Sequence, residues 1–514
     1  MNTYRSFAIG LLAAFGLVAS QSSFAGPIQW LENGCNALQE YWGGNYDFKG
    51  NVKAENIGLI SFFSLMTRTN FNAVDLINEI HDKHGPIAYV RKPWSDHPVV
   101  FINRGDMAKQ ILMNTDGKAN AFDRDLQSMT SSINTYGADN VSFTKGQAWR
   151  EHRQMLAKYF GVTRIRTPEF YKSLHESLSP IIEDIRAQIR SASSGAAAVD
   201  LEPILRSAVM RMTLKSFFGL EKSLPEIRDS IGPAFEVLTK WIVLDSVLDP
   251  VGIKPTNLPK YLPFTNRVKS ALEVVNRLTD EIMNQNSNNG LMGELLSNPN
   301  VNREMVRNNV LALIAGANEA TSSYATWMLH DVTWHRDVLK KIVSEVDGNT
   351  EISPANRDKL KTFGSANLET LRMHSPFYLI SRQATQDFTF SSEGQTFVIP
   401  EGTHVVISLL NYHLSEGIFG KDASGFSAAA YNPHRWETPE SKANKVEECM
   451  MPFGAGPRSC IGRFAAEAEV EVLITRIIKE FDIVNKSPAW SVPVSAGLAT
   501  KPRDGLPVSI SERR

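Results

Sequence analysis

The sequence predicts a mainly α-helical fold with a small β-sheet subdomain. Three observations point there. Long stretches with apolar residues at helical spacing dominate, strand-like runs are few and short, and from about Asn56 onward no low-complexity linker, repeat or charge run divides the chain. Helical spacing covers Pro180 to Arg190, Glu202 to Leu220, Val268 to Asn284, Met305 to Trp334 and Ala465 to Phe481. In the last of these Val470, Leu473, Ile474, Ile477 and Phe481 form one stripe that is expected to face the core. Strands are expected where β-branched or aromatic runs meet Gly, Pro or Asp: Ile87 to Val90, Val99 to Ile102, Phe388 to Phe390, Phe397 to Ile399 and His404 to Ser408. Ser193 to Ala198 reads as a surface turn between helices.

A chain of 514 residues with 42% hydrophobic content can bury a large core. With 54 basic and 55 acidic residues the net charge is −1, so no overall field favours nucleic acid, and no nucleic-acid partner is expected. Three cysteines, Cys35, Cys449 and Cys460, are too few for a disulfide framework, and their spacing does not suggest zinc.

At the N-terminus Arg5 precedes an apolar run from Phe7 to Val18, and Ser20 to Ala25 follows with small residues at Ser23 and Ala25. That is the order of a secretory signal, with cleavage expected after Ala25. The run falls short of the ~20 apolar residues that span a bilayer. The first basic residue after it is Lys49, whereas a cytoplasmic domain behind a membrane anchor wants positive charge next to the span. The expected organisation is a signal peptide over 1–25, an N-terminal lead-in over 26–83 and one catalytic domain over 84–514, exported to the periplasm or medium; an uncleaved membrane anchor is the alternative.

The most informative segment is Pro452-Phe453-Gly454-Ala455-Gly456-Pro457-Arg458-Ser459-Cys460-Ile461-Gly462, followed at once by the helical pattern from Arg463. A cysteine at the mouth of a helix has its thiolate stabilised by free backbone N–H groups and the helix dipole, and a thiolate ligates metal. Gly456 and Gly462 allow close approach of a flat cofactor. Arg458 supplies a fixed cation for an acidic cofactor group. The segment matches Phe-x-x-Gly-x-Arg-x-Cys-x-Gly, and so resembles the haem-binding loop of the cytochrome P-450 family, at Phe453, Gly456, Arg458, Cys460 and Gly462.

Other elements resemble the same family in the expected order, over roughly His84 to Phe481. Glu369 and Arg372, three apart on a helix, match its Glu-x-x-Arg, and Tyr431-Asn432-Pro433-His434-Arg435-Trp436 resembles its Pro-x-Arg-aromatic element. The resemblance makes Glu369, Arg372 and Arg435 a buried structural triad. Trp149 and Arg153 resemble Trp-x-x-x-Arg, and Arg382 the strand arginine after Glu-x-x-Arg. By resemblance Trp149, Arg153, Arg382 and Arg458 contact the propionates of haem b (iron protoporphyrin IX), with Cys460 as the iron ligand. The implied fold is one large helical domain with haem between two central helices.

The long helix departs from the family pattern Ala-Gly-x-acid-Thr. It reads Ala315-Gly316-Ala317-Asn318-Glu319-Ala320-Thr321. One register puts Asn318 at the acid position and Glu319 at the alcohol position; the other puts Glu319 at the acid position and Ala320 where threonine belongs. Glu319, Thr321 and Asn318 are the candidates for proton delivery through water. The resemblance implies a monooxygenase that inserts one atom of O2 into an apolar small-molecule substrate, fed by a redox partner, reductase or ferredoxin. The alternatives are a peroxide-using peroxygenase or isomerase on the same scaffold, and a non-catalytic haem-binding protein.

Overall fold

Thr167, Asp200 and Asn302 each start a helix. Their side-chain oxygens accept from the backbone N–H of Phe170 at 3.3 Å, Glu202 at 3.1 Å and Met305 at 2.7 Å, which satisfies donors that a first turn leaves over. The computed structural model describes residues 46–513 except 70–71, 92–95, 116–120, 127–128, 194, 249–262, 286–294, 296–300 and 350. The expected signal peptide and Cys35 lie outside the described residues. Among the described residues no helix is long and apolar enough to cross a membrane.

The helices that position the site are α1 (Gly146–Phe160), α2 (Pro168–Ser191), α3 (Leu201–Phe218), α4 (Gly232–Leu248), α5 (Arg303–Trp334), α6 (Lys361–Met373) and α7 (Arg463–Glu480). Helix α2 begins at Pro168, well before the Pro180 that the sequence marked as a start, because Thr167 caps it and Pro168 is preset for the first turn. Pro180 then lies inside the helix. Gly219, left-handed at φ 67°, closes α3. The expected stripe of α7 is buried, but so are Glu469, Glu471, Val472 and Thr475, so this helix is enclosed on nearly all sides. Helix α5 is buried at every residue from Thr321 to Thr333. Its hydroxyls turn inward on the helix: Thr326 Oγ1 donates to Ser322 O at 2.8 Å and Thr333 Oγ1 to Leu329 O at 2.6 Å.

The chain forms two compact units. Among the described residues, one lies within positions 46–126, 245–248 and 380–408. Its sheet runs in the order Glu55–Asn56, Ile87–Val90, Val99–Ile102, His404–Ser408, Leu379–Ala384, Phe122–Asp123. Ile87 pairs antiparallel with Ile102, and Val99 parallel with His404. A hairpin, Phe388–Ser392 with Gln395–Ile399, closes through Glu393 at φ 50° and Gly394 at φ 75°, the positive pair that a two-residue turn requires.

The second unit, among the described residues, lies within positions 129–244, 263–379 and 409–513 and carries α1 to α7, apart from the last residues of α4. Here a three-stranded sheet forms from Phe481–Asn485, Pro507–Glu512 and Ala196–Asp200. The expected surface turn at Ser193 to Ala198 is therefore in part a strand. Its alanines carry little β propensity; pairing with Pro507–Glu512, Pro507 opposite Asp200, decides the conformation.

Candidate active site

The cysteine loop folds on itself through short backbone bonds. Gly454 N donates to Met451 O at 2.9 Å, Ser459 N to Gly456 O at 3.1 Å and Cys460 N to Phe453 O at 2.8 Å. Gly454 and Gly456 stand at φ 71° and 70°, which side-chain-bearing residues rarely adopt. Cys460 is exposed, and its Sγ lies 3.9 Å from where a Cβ on Gly462 would be. Gly462 is the residue before α7, so the thiol sits at the positive end of an 18-residue helix.

Two guanidinium groups converge on this loop. Arg458 is buried, with its Cζ 4.1 Å from the Trp149 ring centroid and Nη2 donating to Thr144 O at 2.9 Å. Arg153 Nη1 donates to Ser459 O at 2.7 Å, beside the cysteine. Desolvation lowers the Arg153 pKa, the Cys460 sulfur raises it and Arg458 lowers it. Trp149 and Arg153 thus share one side of α1, but the tryptophan packs on Arg458 rather than on Arg153. Arg382 belongs to the other unit, where Nε donates to Thr115 Oγ1 at 3.2 Å and Nη1 to Ser381 O at 2.8 Å.

Helix α1 is tied to α5 by a buried histidine that sequence reasoning missed. His152 Nε2 lies 2.9 Å from Asp139 Oδ1, and His152 Nδ1 lies 2.9 Å from Asn309 Nδ2. An amide nitrogen only donates, so Nδ1 accepts and Nε2 carries the proton. Asn309 Oδ1 accepts from Val141 N at 3.0 Å, completing the clamp. One turn of sequence separates nothing here that a pattern could flag: the partners are thirteen and more than a hundred residues away.

Glu369, Arg372 and Arg435 come together in the core. Glu369 receives Arg372 Nη2 at 2.8 Å and Nε at 3.0 Å, and Arg435 Nε at 3.2 Å and 3.3 Å, with all three side chains fully buried. Arg372 Nη1 also donates to His413 O at 3.0 Å and Ala428 O at 2.7 Å. His413 then reaches the cysteine loop, accepting Met451 N on Nε2 at 3.0 Å, while Tyr412 OH donates to Cys449 O at 2.7 Å. Burial, helped by Arg372, lowers the His413 pKa to about 3, so it is neutral.

On α5 the three candidates separate. Asn318 and Thr321 are buried, and neither Oδ1 nor Nδ2 of Asn318 has a protein partner among the described residues. An unpartnered buried amide is costly unless a ligand or water meets it. Glu319 is half-buried, and desolvation raises its carboxyl above the usual range against the pull of Arg206 and Lys501. Helix α5 packs against α7.

This donor set fits a thiolate-ligated haem. A single thiolate such as that of Cys460 suits a metal whose other ligands come from its cofactor. Glycine-lined backbone stands beside the thiol, and Arg153 and Arg458 provide cations for an acidic cofactor edge.

The comparisons agree with the geometry. The family model for cytochrome P450 matches residues 58–505. The chain is 24% identical to cytochrome P450 709B3 of Arabidopsis thaliana, with 80% of this chain and 79% of that protein covered. It is 25% identical to a cytokinin hydroxylase of the same plant, covering 70% and 69%, and 23% identical to 11-oxo-beta-amyrin 30-oxidase of Glycyrrhiza uralensis, covering 71% and 70%. The chain belongs to the cytochrome P450 family of haem-thiolate, oxygen-incorporating oxidoreductases.

Proposed function

We propose that this protein is a monooxygenase that inserts one atom of O2 into an apolar small molecule, with two electrons from a reductase or ferredoxin and two protons reducing the other atom to water. The exposed Cys460 thiol at the start of α7, flanked by Arg153 and Arg458, carries this reading. A thiolate-ligated haem b supplies oxygen activation when bound. Cys460 would ligate its iron, Arg153 and Arg458, and by family resemblance Arg382, would meet the propionates, and Trp149 keeps Arg458 in place by stacking. Phe453, Gly456 and Gly462 shape the loop.

On α5, Glu319 supplies protons through water and Asn318 offers its unmatched amide to bound water or substrate, with Thr321 one position beyond the usual alcohol. The hydroxylase and oxidase names of relatives support substrate oxidation, while the substrate class here rests on the apolar pocket expected of the family.

The test is spectroscopic. Reduced protein under carbon monoxide is expected to show the red-shifted Soret band of thiolate-ligated haem. Retention of that band in Cys460→Ala would overturn the assignment. The Arg5-led apolar run motivates export, and N-terminal sequencing of protein from the native host is expected to begin near Gly26; an intact Met1 would overturn cleavage.

A further inference from the structure

A tight turn lies between α5 and the cysteine loop, and Asn140 builds it. The Asn140 carbonyl oxygen accepts from Phe143 N at 3.2 Å, Thr144 N at 3.0 Å and Thr144 Oγ1 at 2.8 Å, while its Oδ1 accepts from Ser142 N at 2.9 Å. Asn140 is fully buried, and these bonds brace Asn140 to Thr144 as one piece. The turn reaches out in two directions. Val141 N donates to Asn309 Oδ1 on α5 at 3.0 Å, and Thr144 O accepts from Arg458 Nη2 at 2.9 Å. Just upstream, Gly137 at φ 82° sits so close to α5 that a Cβ there would stand 2.4 Å from the Asn308 side chain, so only glycine lets the chain seat on the helix.

The Asn309 amide is committed on both of its atoms. Nδ2 donates to Met305 O on its own helix at 2.8 Å and to His152 Nδ1 at 2.9 Å, which leaves Oδ1 as the atom that faces Val141. A flipped amide would set two donors against each other at Val141 and an oxygen against Met305 O. Asp139, accepting from His152 Nε2 at 2.9 Å, fixes the tautomer that keeps the Nδ1 lone pair toward Asn309. His152 is 1% exposed and Asn309 is fully buried, so water has little access to replace either bond.

We propose that Asn309, held in one orientation by His152, is a positioning residue for Arg458. It seats the turn that presents Thr144 O to the Arg458 guanidinium, and so sets where that cation meets an acidic haem edge. This deepens the cofactor role proposed for Arg458 and rests on it. The long helix α5 is thereby joined to the cysteine loop by a bonded path, from Asn309 through Val141 and Thr144 to Arg458.

Variants of the haem-loaded protein test this. Asn309→Leu keeps the volume but removes the acceptor of Val141 N–H, so amide exchange over residues 137–145 is expected to rise roughly tenfold, the worth of one hydrogen bond to a buried donor. Haem transfer to excess apo-globin is expected to quicken, and the propionate bending band in the resonance Raman spectrum to shift as it does in Arg458→Met. Asn309→Leu combined with Arg458→Met is expected to lose haem no faster than Arg458→Met alone, because both changes act on one contact. Additive losses would make Asn309 merely structural and overturn the proposal, as would unchanged exchange over 137–145 or an unmoved propionate band. Should Asn309→Leu fail to fold, His152 carries the test. His152→Asn places an oxygen near the Nδ1 position and is expected to keep wild-type exchange, whereas His152→Gln reaches toward Asp139, leaves Asn309 Nδ2 with Met305 O alone and raises it. Equal exchange in these two variants, or the reverse order, overturns the proposal. A wild-type protein lacking the thiolate carbon monoxide band would overturn the proposed function instead, while exchange over 137–145 still reads the Asn309 contact.

Discussion

The backbone N–H of Met451 donates to Nε2 of His413 at 3.0 Å, so one buried neutral histidine joins the triad arginine to the start of the cysteine loop. Its pKa falls from 6.5 to about 3 on folding. Between those values the unfolded chain binds a proton that the folded chain refuses, so stability is complete above pH 6.5 and is lost as pH falls toward 3. The loss is on the order of 5 kcal/mol. Urea midpoints measured across this range are expected to fall more steeply with acid in the wild type than in His413→Gln, whose amide oxygen can still accept the Met451 N–H. Parallel slopes would refute the neutral assignment.

Glu469 on α7 gives the opposite slope. Its Oε1 accepts from Thr213 Oγ1 at 3.1 Å in the core, and burial raises its pKa from 4.5 to about 8. A raised pKa means stability is fully present below 4.5 and declines as pH rises to about 8. Glu469→Gln keeps the acceptor and removes the charge. It is expected to gain stability over the wild type at pH 9, by roughly 3–5 kcal/mol, and little at pH 4. Equal gains at both pH values would show that Glu469 does not titrate in this window.

Arg435 lies fully buried between Glu369 and the carbonyls of Phe426, Ser427 and Ala430. Removing one partner of a buried charge network leaves the other uncompensated, so Arg435→Met is expected to lose about 3–5 kcal/mol. Thermal unfolding and haem retention measure it. A loss below about 1 kcal/mol, as at a surface pair, would contradict a structural triad.

Oxygen activation has its own test. With acid and alcohol not adjacent on α5, protons are expected to arrive late when a surrogate reductase and NADPH supply electrons, releasing peroxide. Hydrogen peroxide brings its own protons. Measurable peroxide-supported oxidation of a fatty acid, sterol or terpenoid panel is therefore expected beside poor NADPH coupling, with Glu319→Gln weakening the reductase route more. Tight coupling that is indifferent to Glu319→Gln would remove Glu319 from proton delivery.

The cysteine loop was legible in the sequence because its chemistry is contiguous: Phe453 to Gly462 make their defining bonds within ten residues, and the following helix is set by local spacing. Glu369 and Arg372 were legible for the same reason, being three apart on α6. The strands Ile87–Val90, Val99–Ile102 and His404–Ser408 follow from β-branched runs between breakers. Tertiary structure alone decided the rest. Ala196–Asp200 is a strand only because Pro507–Glu512 pairs with it, His413 is neutral only because packing removes water from it, and Asn309 meets His152 across 157 residues of chain. Local pattern encodes backbone geometry; desolvation and long-range pairing, which set protonation, exist only once distant segments share a core.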